Sequence, residues 1–98
     1  MAASESPVII SSEKTVATAG TAVALSASQR VKALTIIAKA SNTGQVYIGG
    51  SDVSSATNDG LDAGETISFE AVNWMDIADI FVDADTNGEG VDFYAVKA

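Results

Sequence analysis

The chain has 98 residues, 47% of them hydrophobic and 18% charged, with 13 acidic residues against five basic ones and a net charge of −8. That length holds one domain with a single modest core, and the acidic balance repels phosphate backbones and anionic lipid, so no direct nucleic-acid or membrane partner is expected. There is no cysteine and no histidine, which removes a disulfide framework, a thiolate metal site and the commonest general base.

Residues 1–12, beginning "MAASESPVII", read as a flexible N-terminal arm, with the domain over 13–98. The opening lacks the basic stretch and apolar run of a signal peptide. No apolar segment approaches the roughly 18–20 residues of a membrane-spanning helix. Synthesis in the cytoplasm of the producing cell is the corresponding expectation.

In the N-terminal third, "PVII" (7–10), "KTVAT" (14–18) and "TAVALSA" (21–27) each suit a short strand, with turns at Ala19-Gly20 and Ser26-Ala27-Ser28. "VKALTIIAKA" (31–40) is apolar on both faces, Leu34, Ile36 and Ala38 against Val31, Ala33 and Ile37. That pattern marks a central strand, or one covered by a partner chain. "QVYIGG" (45–50) turns Val46 and Ile48 inward and Tyr47 outward. "TISFEAV" (66–72) alternates Ile67, Phe69 and Ala71 with Thr66, Ser68 and Glu70. "ADIFVDAD" (78–85) supplies Ile80 and Val82 with Phe81 across the strand, and "GVDFYAV" (90–96) supplies Val91, Phe93 and Ala95. Turn clusters stand between them at 41–44, 49–60, 62–64, 73–76 ("NWMD") and 86–90 ("TNGEG"). Helix signals are nearly absent, with one turn at most in 72–80. The expected fold is therefore all-β, a single-domain β-sandwich of jelly-roll or Greek-key type with 7–8 short strands.

The stretch "DADTNGEG" (83–90) begins like a calcium loop. In the EF-hand pattern position 12 is a bidentate acid between two helices; here that position is Tyr94 and the flanks read as strands. A hairpin turning at Thr86-Asn87-Gly88-Glu89-Gly90 is the preferred reading, because Asn-Gly tolerates positive φ. A looser calcium site of Asp83, Asp85, Asn87, Glu89 and waters is the alternative. No catalytic residue or cofactor site is expected. A serine nucleophile would lack a histidine, and "GG" at 49–50 lacks both the setting and the lysine of a phosphate loop. Trp74 and Met75 suit either a lid on the core or an interface anchor, and with Val31, Ala33 and Ile37 they are the interface candidates. Tyr47, Tyr94 and Trp74 would serve a sugar-binding platform only if one face carried all three.

"NTGQVYIGGSDVSSATNDGLDAGETISFEAV", followed by "DIFVDADTNGEGVDFYAV", resembles a pattern of small virion proteins of tailed bacteriophages. The resemblance covers about residues 34 to 96 and contains no catalytic motif. It implies a β-sandwich on the virion, commonly a capsid decoration (cement) protein or another head or tail accessory; a decoration protein binds the major capsid protein, usually as a homotrimer. A glycan- or host-recognition module of a head or tail fibre is the alternative expectation.

Overall fold

Side chains that alternate between core and solvent carry the chain through seven strands: β1 (Ile9–Thr15), β2 (Val23–Ala24), β3 (Arg30–Ala38), β4 (Val46–Gly49), β5 (Thr66–Asp76), β6 (Phe81–Ala84) and β7 (Gly90–Lys97). One 3-10 turn, Ile77–Asp79, joins β5 to β6. The computed structural model describes residues 8–98. Of the expected arm, residues 1–7 lie outside the described residues. Ile9 to Ser12 are instead the first half of β1, paired with β7 from Ile9↔Val96 onward.

The odd-numbered strands form a four-stranded sheet in the order β1-β7-β3-β5, and the even-numbered ones a three-stranded sheet, β2-β6-β4. All pairings are antiparallel. Every link between successive strands therefore crosses from one sheet to the other. The pairs β1·β7, β2·β6 and β3·β5 are those of one long hairpin with β4 at its tip. The pairs β3·β7 and β4·β6 then roll that hairpin into a sandwich, which is jelly-roll wrapping. Leu61 makes a single antiparallel bridge to Val46 on the free edge of β4, where an eighth strand would stand.

The core is filled from both sheets. Leu34, Ile36 and Ala38 on β3 and Val91, Phe93 and Ala95 on β7 face Val46, Val82 and Ala84, and Val16, Leu25 and Ile77 close the ends. The alternation expected for β7 and the central place expected for β3 both hold. Burying a Leu, Ile or Phe side chain contributes about 1.5–3 kcal/mol, so these residues dominate the stability.

The pattern departs from expectation at the start of β3. Between Val31 and Ala33, two steps on β3 face one step on β7 (Lys97 to Val96) and five on β5 (Met75 to Glu70). Thus β3 carries one extra residue against β7, and β5 carries three against β3. A one-residue bulge flips the side-chain phase, so Val31 joins the core at 0% exposure rather than the face of Ala33 and Ile37. Likewise 73–76 is not a turn but the end of β5, where Arg30 pairs with Asp76. Asp76 anchors that corner, accepting from the Ser28 hydroxyl and from the backbone N–H of Gln29 (3.0 Å) and Ala78 (2.9 Å).

Candidate interaction surface

The two sheets differ in what covers their outer faces. On the three-stranded sheet, Tyr47 and Asp83 are cross-strand partners pointing away from the core. Both are nonetheless buried, at 5% and 2% exposure. The loop after Gly49 folds back over Tyr47, bringing Gly60 against its ring and burying Val53. The 16–22 loop covers Asp83, which accepts from the backbone N–H of Gly20 (2.9 Å) and of Ala84 (2.8 Å). Burial, with the Asp85 carboxylate accepting its hydroxyl proton, raises the Tyr47 pKa above the ordinary phenol value.

Among the described residues no loop roofs the four-stranded sheet. Its outer face runs in three cross-strand rows: Ile9, Val96, Ala33 and Glu70; Ser11, Tyr94, Thr35 and Ser68; Glu13, Asp92, Ile37 and Thr66. Ile9 and Tyr94 are half exposed, and Ala33, Thr35, Ile37 and Val96 are partly so. Shallow grooves flank Tyr94 on both sides, one lined by Ser11, Ser12, Glu13 and Asp92, the other by Ile9, Ala33, Thr35 and Val96. One rim carries an ion triad in which the Lys39 ammonium donates to Asp92 (2.8 Å) and to Glu13. Those two bonds, that to Asp92 first, raise the Lys39 pKa. At the far corner the β5 bulge leaves Val72 fully exposed and Trp74 half exposed, with the Arg30 guanidinium 4.1 Å from the Trp74 ring centre.

The interface candidates thus separate. Ala33 and Ile37 lie on the open face, and Trp74 stands exposed at its corner. Val31 is core, and its cross-strand partner Met75 packs partly buried against that core, so neither is a surface anchor. Tyr47, Tyr94 and Trp74 form no shared platform, since Tyr47 is buried on the opposite sheet. Sequence reading missed the Arg30–Trp74 stack and the central place of Tyr94. The alternation of β7 held the signal for Tyr94, which follows the inward Phe93.

"DADTNGEG" is not a hairpin, because β6 and β7 belong to different sheets and the segment is the link between them. Gly88 alone in it takes positive φ (82°), and the Glu89 N–H closes a four-residue turn on the Thr86 carbonyl, the pattern of a type II turn. Its polar side chains tie down two other segments, Asp83 and Asn87 the 16–22 loop and Asp85 and Glu89 the chain at 43–47. Asp83 holds Gly20, Asp85 takes the N–H of Gln45 (3.1 Å) and the Tyr47 hydroxyl (2.8 Å), and Asn87 takes the N–H of Ala19 (2.7 Å). Glu89 accepts from Thr43 N–H (2.7 Å), Thr43 hydroxyl (2.9 Å) and Gly44 N–H (3.0 Å). The N–H groups of Gly44 and Thr43 lower its pKa. Among the described residues no three acids gather into a metal-holding group.

Over the described residues these features define a jelly-roll sandwich with one roofed sheet and one bare sheet. Comparison of the chain with family models, with curated proteins and with solved structures finds no match.

Proposed function

We propose that this chain is a non-enzymatic virion structural protein, a capsid decoration protein that binds the outside of a phage shell, as a homotrimer, and stabilises it. The observation that supports the reading is the four-stranded sheet left bare by the described residues: an open face with Ala33, Thr35, Ile37 and Tyr94 across its middle, beside a second sheet that its own loops seal. Flat apolar-centred faces with polar rims suit docking against another protein better than enclosure of a small molecule. The resemblance over residues 34–96 points the same way. A partner that binds only the assembled shell stabilises it by mass action. The glycan-recognition alternative would have to do without Tyr47, which is buried on the other sheet.

The test is co-sedimentation with empty shells assembled from the major capsid protein of the same genome, with light scattering of the free chain. Binding to shells, a raised shell melting temperature and a particle of three times the 9.9 kDa chain mass are expected. A chain that leaves shells unbound and unstabilised refutes the reading.

A further inference from the structure

Among the described residues the sheet β1-β7-β3-β5 ends in two unpaired edges, β1 and β5. The bonds flanking each strand show which backbone groups point outward. The Lys97 N–H donates to the Val8 carbonyl at one end of β1, and the Val16 N–H to the Glu89 carbonyl at the other, in the register of Ile9↔Val96. Even-numbered residues of β1 therefore bond β7, and the N–H and C=O groups of Ile9, Ser11, Glu13 and Thr15 point away from the sheet. Beside β5 the Ala38 N–H donates to the Glu65 carbonyl, which continues Ile37↔Thr66. The backbone groups of Thr66, Ser68 and Glu70 therefore point away from β3. Among the described residues no other backbone group bonds any of them.

The two edges match each other. All three ladders of the sheet are antiparallel, so β1 and β5 run in opposite directions. A second copy rotated about an axis along the strands sets its β5 antiparallel to the first copy's β1. The outward-bonding residues of both edges also carry their side chains on one face, in the rows Ile9–Val96–Ala33–Glu70 and Ser11–Tyr94–Thr35–Ser68. The new ladder thus continues the sheet without turning either face over. Rotation moves no residue along the axis, so the rows stay level: Ile9 meets Glu70, Ser11 meets Ser68, and Glu13 meets Thr66. No acid stands opposite an acid.

Apolar exposure falls at the same junction. Four of the five exposed large hydrophobic side chains stand on these edges, Val8 and Ile9 at the start of β1 and Val72 and Trp74 in the β5 bulge. Val8, Lys97, Val31 and Met75 share a row. The start of β1 in one copy therefore comes level with residues 71–74 of the next, and the four side chains gather. A two-fold pairing of β1 with β1 would leave Val72 and Trp74 in water.

We propose that copies of this chain join head to tail, the β1 edge of one pairing with the β5 edge of the next. A contact between two different patches repeats until it closes a ring. The ring size of three rests on the homotrimer reading above; the junction itself rests on the two edges.

Proline distinguishes the edges, since it deletes one N–H. S11P removes an outward N–H from β1 and S68P one from β5, and neither loses a bond inside the chain. S12P, which removes a bond to β7, should destabilise the fold. By light scattering and circular dichroism the parent should be an oligomer, and S11P and S68P folded monomers. Mixed together, S11P and S68P should form a dimer, because each retains the edge the other lacks. A monomeric parent, or an S68P that associates like the parent, overturns the proposal. Cysteine gives a second readout in a chain that has none. Bonded partners across the junction have Cα atoms about 5.5 Å apart, within the disulfide range of about 4.4–6.8 Å. Inside one chain Ser11 and Ser68 are three strand spacings apart, roughly 14 Å. Oxidising S11C with S68C should give mixed disulfide dimers, and neither variant should dimerise alone. Absence of the mixed dimer, or S11C dimers in its place, overturns the proposal. The two readings fail separately: shell binding by a chain without edge pairing sinks only the junction, and edge-paired oligomers that ignore shells sink only the decoration role.

Discussion

Among the described residues Asp83 is the one buried charged side chain, at 2% exposure, and it accepts from the backbone N–H of Gly20 at 2.9 Å and of Ala84 at 2.8 Å. Replacing it with Ala removes two charge-assisted hydrogen bonds, each worth about 1.5–3 kcal/mol net. Water can replace the carboxylate at Gly20, which lies in an exposed turn, whereas the Ala84 N–H stays buried without a partner. Taking the low end for each bond gives a loss of about 3 kcal/mol. For a domain of this length each kcal/mol moves the Tm by about 4–8 °C, so D83A should melt roughly 12–24 °C below the parent. D83N retains an acceptor oxygen without the charge and should fall about halfway between. The assay is thermal unfolding followed by far-UV circular dichroism, in chelator and again in calcium. A D83A melting point within about 4 °C of the parent refutes the reasoning. A parent stabilised by calcium while D83A is not would show that the carboxylate serves a metal rather than a loop.

Four further outcomes follow from the same geometry. Glu89 and Asp76 both have pKa values lowered in the folded state, by the N–H groups of Gly44 and Thr43 and by the Ser28 hydroxyl and nearby N–H groups respectively. Their stabilisation is complete above the ordinary values of 4.5 and 3.8 and is lost as pH falls through the lowered ones; a Tm profile should drop in acid, and less steeply in E89Q. Gly90 admits no side chain, because a Cβ there would overlap the Lys14 carbonyl oxygen. G90A should fail to fold or lose more than about 3 kcal/mol in urea unfolding, while G88A, strained only by its φ of 82°, should lose about 1. Val31→Asp should abolish folding and Ile37→Asp should not, as the far-UV spectrum will report. Lys39→Met breaks an ion triad with exposed partners and should cost no more than about 1 kcal/mol, with the difference shrinking in high salt.

Much of the fold was legible because it rests on alternation. The clean two-residue period of β7 and the double-sided run of β3 are direct consequences of a strand flanked by others over a core. The bulge at Lys32 was not legible, since one added residue in a run of apolar and polar positions leaves no compositional trace. Yet it decides that Val31 is core rather than surface. The end of β5 was misread for a related reason: Asn73 and Asp76 are turn formers, but here they belong to a strand whose swollen segment faces water. "DADTNGEG" has the local chemistry of a hairpin turn, and no local signal tells which sheet each flank will join. The ties made by Asp83, Asp85, Asn87 and Glu89 reach partners 38 to 68 residues away, beyond any spacing rule. The open face carried the weakest signal, because a bare sheet differs from a covered one only in what the loops do.

The strict passage of each link from one sheet to the other has a consequence for how the molecule is made. No strand pairs with its neighbour in sequence, so no hairpin can form early and hold while the rest arrives. The strand between β1 and β3 is the last one, and a growing chain that stops short of Gly90 has both edges of that gap bare. Such high contact order places folding on the millisecond-to-second scale, and unpaired strands in the interval invite association between chains. Completion of the four-stranded sheet therefore waits for the arrival of residues 90–97.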